Sequence, residues 1–218
     1  MNNITITTWG HSAVRLERDG ALLVIDPGTL SDQMVIESAS AILITHEHAD
    51  HYSPDLVVNA LAKNDELEVW APQSVVDQLT EAGAPNGSMH IVTLGDEFSA
   101  AGFRIRALGG KHAVVHQSIP VIANISYLIE GKILHPGDAF TPPPESIKLT
   151  VLFLPVSAPW LKVAETIDYV RQLRPEIAIP IHDAILSDAG RAIVDRLVGG
   201  HAGDTRYQRL TSTNALSV

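Results

Sequence analysis

Three short stretches of the chain are almost uninterrupted in their apolarity: Ala21–Ile25, residues 41–45 and residues 149–154. None of them alternates with polar residues, so none suits a strand with one wet face. Runs of this length suit strands buried on both sides. A sheet containing such strands needs cover on both faces, and the rest of the chain supplies candidates for it. Ile4, Ile6 and Thr8 alternate with polar neighbours, and Val14 and Leu16 continue the pattern up to Asp19-Gly20, a hairpin turn signal. Ser53-Pro54-Asp55 reads as an N-cap, a first-turn proline and a first-turn acid, with Leu56, Val57, Ala60 and Leu61 following at helical spacing. Further helices are expected over 72–82, 162–173 and 188–198, the last closed by Gly199-Gly200. Strands are expected at 67–70, 90–94, 103–108, 124–130, 132–135 and Ile177–Ile181. No Gly/Ser linker or charge block divides the chain, so 1–218 reads as one α/β domain of mixed sheet flanked by helices.

Composition narrows the function classes. The 218 residues are 45% hydrophobic and 18% charged, enough for a sizeable core. The formal net charge is −10, which argues against a nucleic-acid partner or an anionic membrane surface. Cysteine is absent, which removes disulfides, thiolate zinc sites, iron–sulfur clusters and a cysteine nucleophile together. Any metal must be held by His, Asp or Glu. The first residues, Met1 to Thr5, lack the basic and apolar segments of a signal peptide, and the apolar stretch 151–161 is broken by Pro155 and Pro159. A soluble, cytoplasmic protein is the expectation.

Chemistry concentrates in Thr45-His46-Glu47-His48-Ala49-Asp50-His51, directly after a buried strand. In extended backbone His46 and His48 point the same way, so both imidazoles can grip one cation. Asp50 and His51 lie just beyond, where a turning chain can aim them at a second. Four candidates in one short loop exceed what one ion needs, which points to two ions; imidazole and carboxylate suit zinc, and also manganese or iron. The remaining candidates also follow predicted strands: His112 and His116 after Gly109-Gly110, Asp138 in His135-Pro136-Gly137-Asp138, and His182 in Ile181-His182-Asp183. Ligands gathered at strand ends around one rim are what an α/β active site requires.

This pattern resembles the signature of the metallo-β-lactamase superfamily, and the resemblance covers nearly the whole chain. Trp9-Gly10-His11-Ser12, the segment Leu23 to Gly28, Pro136-Gly137-Asp138-Ala139 and Ile181-His182-Asp183 are similar to its other motifs. The resemblance implies an αββα sandwich with metals at one edge. It implies that His46, His48 and a third histidine hold one ion, that Asp50, His51 and His182 hold the other, and that Asp138 bridges them. The third histidine is taken as His112 over His116, because it follows the strand and the Gly109-Gly110 turn more closely; His116 would then line the pocket and contact substrate, or be a partly exposed loop residue. The resemblance also implies that Asp26, itself natural for a turn, orients a ligand histidine from behind. His11 is placed with Asp26 behind the ligands, lining the site, or is an ordinary hydrogen-bonded turn histidine. The Asp50-His51 pair resembles hydrolase branches, and Trp9-Gly10-His11-Ser12 resembles a subgroup with ascorbate-6-phosphate lactonase and N-acyl phosphatidylethanolamine phospholipase D.

The expected activity is hydrolysis by a metal-bound hydroxide. Two cations ~3.5–4 Å apart lower the pKa of a shared water from 15.7 to about 7. Asp50 would fix the water and pass its proton to the leaving group, and Asp138 would hold the metal spacing. A small ester, lactone, amide, thioester or phosphodiester is the expected substrate. An iron-dependent oxidoreductase on the same fold, and a non-catalytic metal-binding protein, are the alternatives. A homo-oligomer is compatible with such a fold, though no surface patch demands one. His135 reads as a neighbour of Asp138 and Asp183 as a support for His182 or a cap. Trp160 reads as a pocket wall or a packing residue, and His90 and His201 as ordinary surface or core residues.

Overall fold

A computed structural model describes residues 3–218; the reading of the first two residues as part of a leaderless N-terminus lies outside them. Among the described residues, fourteen strands form two seven-stranded sheets, with four α-helices between strands in sequence. The first six strands are β1 (Thr5–Thr8), β2 (Val14–Arg18), β3 (Ala21–Ile25), β4 (Ala41–Leu43), β5 (Glu68–Ala71) and β6 (Met89–Ile91). Helix α1 (Pro54–Leu61) separates β4 from β5, and α2 (Gln73–Glu81) separates β5 from β6. The second sheet takes β7 (Glu97–Ala100), β8 (Phe103–Gly109), β9 (Ile125–Ile129), β10 (Ile133–His135), β11 (Val151–Pro155), β12 (Ile177–Ile181) and β13 (Arg206–Tyr207). Helices α3 (Val163–Leu173) and α4 (Asp188–His201) follow β11 and β12, and β14 (Leu216–Ser217) returns to pair with β1.

The two sheets are built alike. In the first, the order is β14-β1-β2-β3-β4-β5-β6, antiparallel as far as β3 and parallel from β3 to β6. In the second, the order is β13-β12-β11-β10-β9-β8-β7, antiparallel from β7 to β10 and parallel from β10 to β13. Parallel strands need crossovers; α1, α2, α3 and α4 supply those from β4 to β5, β5 to β6, β11 to β12 and β12 to β13, and they cover the outer faces.

Side-chain alternation sorts the apolar runs into three layers. Leu23, Ile25 and Leu43 face Phe103, Tyr127, Ile129, Phe153 and Ile179 between the sheets. The intervening Val24, Ile42, Ile44 and Val69 pack against Val57 and Leu61 of α1 and Val75 and Leu79 of α2. Leu128, Leu134, Leu152 and Leu154 pack against Tyr169 and Val170 of α3 and Val194 and Val198 of α4. Each such side chain, fully buried, contributes about 1.5–3 kcal/mol. This is the αββα sandwich that the sequence led us to expect.

The sheets are pinned together at both ends. At one rim Ile125 N–H donates to Thr45 O (2.9 Å) and Tyr127 OH to Ile44 O (2.8 Å). At the other, Arg18 donates to Gly102 O and Glu130. Local departures from the sequence reading have physical causes. Helix α4 runs through Gly199-Gly200 to His201, because a Cβ at Gly199 would sit 3.3 Å from Tyr207; the glycine permits close packing and does not end the helix. The expected strand at 90–94 ends at Ile91, where Asp96 accepts Thr93 N–H and forms a turn. Ser53 stands at the N-cap of α1 without a side-chain capping bond. Strands β7, β13 and β14 carried no usable periodicity.

Candidate metal centre

Strand direction brings the chemical groups together. β1, β3 and β4 run the same way in one sheet, as do β8, β10, β11 and β12 in the other. The loops leaving these seven strands meet at one rim. They carry, in order, His11, Asp26, the 46–51 loop, His112, Asp138, Trp160 and His182. Two sets of four result, each with its potential ligand atoms within 4.8 Å of one another: His46, His48, His112 and Asp138; and His11, Asp50, His51 and His182.

The backbone is bent to achieve this. His11, Asp26 and His182 adopt left-handed conformations, with φ of 46°, 50° and 62°. Such residues cost about 1–2 kcal/mol each and persist where their surroundings hold them. His182 N–H donates to His11 O at 2.9 Å, which locks two of the three together. Gly28 lies so close to the 46–51 loop that a Cβ there would fall 1.9 Å from Asp50 O. The Asp26-Pro27-Gly28 turn is therefore also the bed on which the histidine loop rests.

Ring orientation follows from what each Nδ1 touches. His51 Nδ1 lies 2.7 Å from Asp26 Oδ2, and His112 Nδ1 lies 2.6 Å from Ala113 O. His182 Nδ1 meets Ser157 O. A carboxylate or carbonyl only accepts, so each of these Nδ1 atoms carries a proton and donates it. Their Nε2 atoms point into the cluster, buried and without a hydrogen-bond partner. His46 follows suit: Thr45 Oγ1 donates to Asp26 Oδ2 and stands 2.9 Å from His46 Nδ1, leaving Nε2 3.1 Å from His48 Nδ1. One ion with metal–nitrogen bonds of about 2.0–2.1 Å spans such a pair. Asp26 accepts Thr45 N–H, Thr45 Oγ1–H and His51 Nδ1–H, and so fixes the start of the histidine loop and the His51 ring.

Asp138 stands between the two sets. Its Oδ1 is 3.0 Å from His51 Nε2, off the line a hydrogen bond needs, and its Oδ2 is 3.1 Å from His182 Nε2 and 3.4 Å from His112 Nε2. Burial alone would raise its pKa, but the surrounding imidazoles, His51 foremost, hold the carboxyl well below the usual range. For His51 burial is likewise outweighed: Asp138 and Asp26 push it well above the usual value. Asp50 titrates at about 2, because contacts to His11, His51 and His182 overcome its burial. Burial pushes His46 well down. Buried imidazole nitrogens and a carboxylate oxygen that converge without partners among themselves are a donor set suited to a divalent cation.

Two further contacts were not legible in the sequence. Trp160 donates its indole N–H to Asp138 Oδ2 at 2.8 Å, so it is neither a mere pocket wall nor a packing residue. Asn124, fully buried, accepts Asp138 N–H and donates to Pro136 O, holding the turn that presents Asp138. His116 lies apart from both sets: it is exposed and pairs with Ser118. His135 hydrogen-bonds Ser12 O and Gly137 N–H, and Asp183 pairs with Arg209. His90 stacks on Trp70, and His201 bonds Leu197 O at the end of α4.

The chain is similar to known proteins in sequence and in fold. Protein Rv0786c of Mycobacterium tuberculosis is 41% identical over 194 residues, 86% of this chain and 88% of that one. A UPF0173 metal-dependent hydrolase of Geobacillus is 29% identical over 199 residues, 81% of this chain and 84% of its own. Among solved structures, a metallo hydrolase from Ignicoccus hospitalis superposes with a TM-score of 0.74 at 20% identity, over 99% of this chain and 98% of that one. The metallo-beta-lactamase fold protein YhfI from Bacillus subtilis gives 0.76 at 13% identity, over the whole of both chains. The model of the beta-lactamase superfamily domain matches residues 5–182, the segment that runs from β1 to the last histidine of the cluster. Its span, together with the shared sandwich, leads to one assignment: the chain belongs to the β-lactamase superfamily.

Proposed function

We propose that this protein is a hydrolase that holds two divalent ions, zinc by preference, and acts on a small ester, lactone, amide or phosphodiester. The observation that carries the proposal is the convergence of unpartnered Nε2 atoms from His51, His112 and His182 with the unpartnered Oδ1 of Asp138. Curated relatives named as metal-dependent hydrolases support the same reaction class. Ligand roles follow the two sets: His46, His48 and His112 for one ion, Asp50, His51 and His182 for the other, and Asp138 between. Nitrogen and carboxylate donors without thiolates suit zinc, manganese or iron.

Bound there, the ions would supply Lewis acidity and lower the pKa of water to near neutrality. The chain's own residues do the rest. Asp138, held by Trp160, spaces the two sets. Asp26 and Thr45 fix the rings of His51 and His46. Asp50 and His48 are the members of the two sets that reach solvent, so substrate approaches from their side. Asp50, half-exposed beside the second set, is the carboxylate placed to take a proton and return it to the leaving group. Among the described residues no helix is long and apolar enough to cross a membrane, and the net charge of −10 disfavours nucleic acid, so a small molecule is the substrate class.

Metal analysis of natively purified protein, with a screen of chromogenic esters, lactones and bis-phosphate esters, tests this. Two zinc or manganese ions per chain with turnover, abolished in His48→Ala while the fold is retained, is the expected outcome. Failure to take up divalent ions, full turnover by the variant, or stoichiometric iron with oxygen uptake would overturn it.

A further inference from the structure

His11 belongs by distance to the second set of four, yet its ring is wired the opposite way from its neighbours. We propose that His11 is the proton-bearing member of that set: its Nε2–H holds Asp50 Oδ2 in place, and it does not ligate the second ion. The proposal rests on the two-ion reading above, which leaves His11 without a task.

The argument is one of donors and acceptors. A neutral imidazole has one nitrogen that donates and one that accepts. His11 Nδ1 lies 3.3 Å from the backbone N–H of Ala184, and an amide N–H can only donate. Nδ1 is therefore the acceptor, and the ring proton sits on Nε2. That atom lies 3.1 Å from Asp50 Oδ2, which can only accept while ionised. Both nitrogens are thus occupied, and no lone pair is left for a cation. In His51, His112 and His182 the reverse holds: Nδ1 faces an acceptor, and Nε2 is left over. His11 is absent from the unpartnered nitrogens for this reason.

The backbone builds this reversal in. The 10–12 and 181–184 turns interlock, with His182 N–H donating to His11 O and Ala184 N–H reaching back to the His11 ring. The two rings stand 4.0 Å apart, centre to centre. Flipping the His11 ring to offer a bare nitrogen to the cluster would turn a carbon toward Ala184 N–H and another toward Asp50, breaking both bonds. Asp50 Oδ2 also lies 3.5 Å from His182 Nε2, so the bond from His11 sets where the carboxylate stands relative to the second set. His11 is accordingly a positioning residue that acts through Asp50.

Two-bond proton–nitrogen NMR of the histidine rings, before and after zinc loading, reads the tautomer directly, with His11→Gln used to assign the signal. His11 is expected to show the Nε2–H pattern in both states, while His112 and His182 show Nδ1–H and shift at Nε2 on loading. Loss of the His11 Nε2 proton on zinc loading, or an Nδ1–H pattern without zinc, would overturn the proposal. Zinc per chain gives a second readout. Glutamine carries a carbonyl and an amide N–H that can replace both His11 contacts, so His11→Gln is expected to keep both ions, as His182→Gln is not. His11→Phe keeps the ion count but binds the second ion about tenfold more weakly. Loss of one ion in His11→Gln would overturn the assignment. If the wild-type protein binds no zinc, the two-ion reading fails, and the zinc-free spectrum still decides where the His11 proton resides.

Discussion

Replacing Gly28 with alanine tests how the ligand loop is held. Gly28 is buried, and its backbone is not in the left-handed region, so alanine meets no conformational penalty there. The obstacle is space alone. The new Cβ would lie 1.9 Å from Asp50 O, 2.2 Å from Asp50 C and 2.6 Å from His51 N, all backbone atoms. Ordinary contact requires the two segments to part by about 1.5 Å. Neither can yield easily. Thr29 N–H donates to Ala49 O and Ser53 N–H to Pro27 O, while Ser31 secures Gly28 O through both its N–H and its hydroxyl. Overpacking of this kind costs about 1–3 kcal/mol. For a chain of this length that lowers the melting temperature of the metal-free protein by roughly 2–12 °C. The effect on metal uptake is larger, because ligand positions tolerate displacements of only about 0.2–0.5 Å. Calorimetric zinc titration beside thermal unfolding separates the two, and the second ion, held through Asp50 and His51, is expected to weaken by at least about a hundredfold. Gly87→Ala, where a Cβ meets nothing within 4 Å, is the control and stays within about 0.5 kcal/mol of wild type. Wild-type zinc affinity and an unchanged melting temperature in Gly28→Ala would refute the idea that this close approach positions the loop.

Other perturbations probe the supports of the site. Asp26→Asn keeps a residue type that tolerates φ of 50° but removes the charge that orients Thr45 and His51; about 3 kcal/mol of stability should be lost, seen in urea unfolding of the metal-free protein. Trp160→Phe deletes the N–H that secures Asp138 Oδ2, so competition with a zinc chelator should show about tenfold weaker binding with little change in melting temperature. Glu130, on the opposite rim, is raised by burial but lowered more by the Arg104 N–H and the Arg18 and Arg104 side chains, so its carboxyl lies below the usual range. A depressed carboxylate stabilises the fold above its unfolded pKa of about 4.3 and loses that effect as pH falls through the folded value. Glu130→Gln should therefore be less stable than wild type by about 1 kcal/mol near neutral pH, with the gap closing on acidification below about pH 4. A constant gap across that range would contradict this.

Much of the architecture was written locally. The apolar runs at Ala21–Ile25 and 41–45 specify doubly buried strands because nothing in them tolerates water, and the parallel direction of β4 and β5 follows once helix α1 must connect them. The His46-His48 and Asp50-His51 pairs were legible for a similar reason: the spacing of side chains along one short loop is a local property. What tertiary structure decided was every relation between distant segments. Position after the strand favoured His112 over His116 in the sequence, but their separation in space comes from His112 N–H bonding Ile122 O and Ala113 N–H bonding Asp138 O, which draws the His112 ring inward while His116 stays exposed. The Trp160 contact to Asp138 depends on where β11 ends relative to β10. The proton on His11 depends on Ala184, 173 residues away. Which atom carries a hydrogen, and which nitrogen is left for a cation, is set by the partner on the far side of each ring, and partners that far along a chain are chosen only when the sheets close on one another.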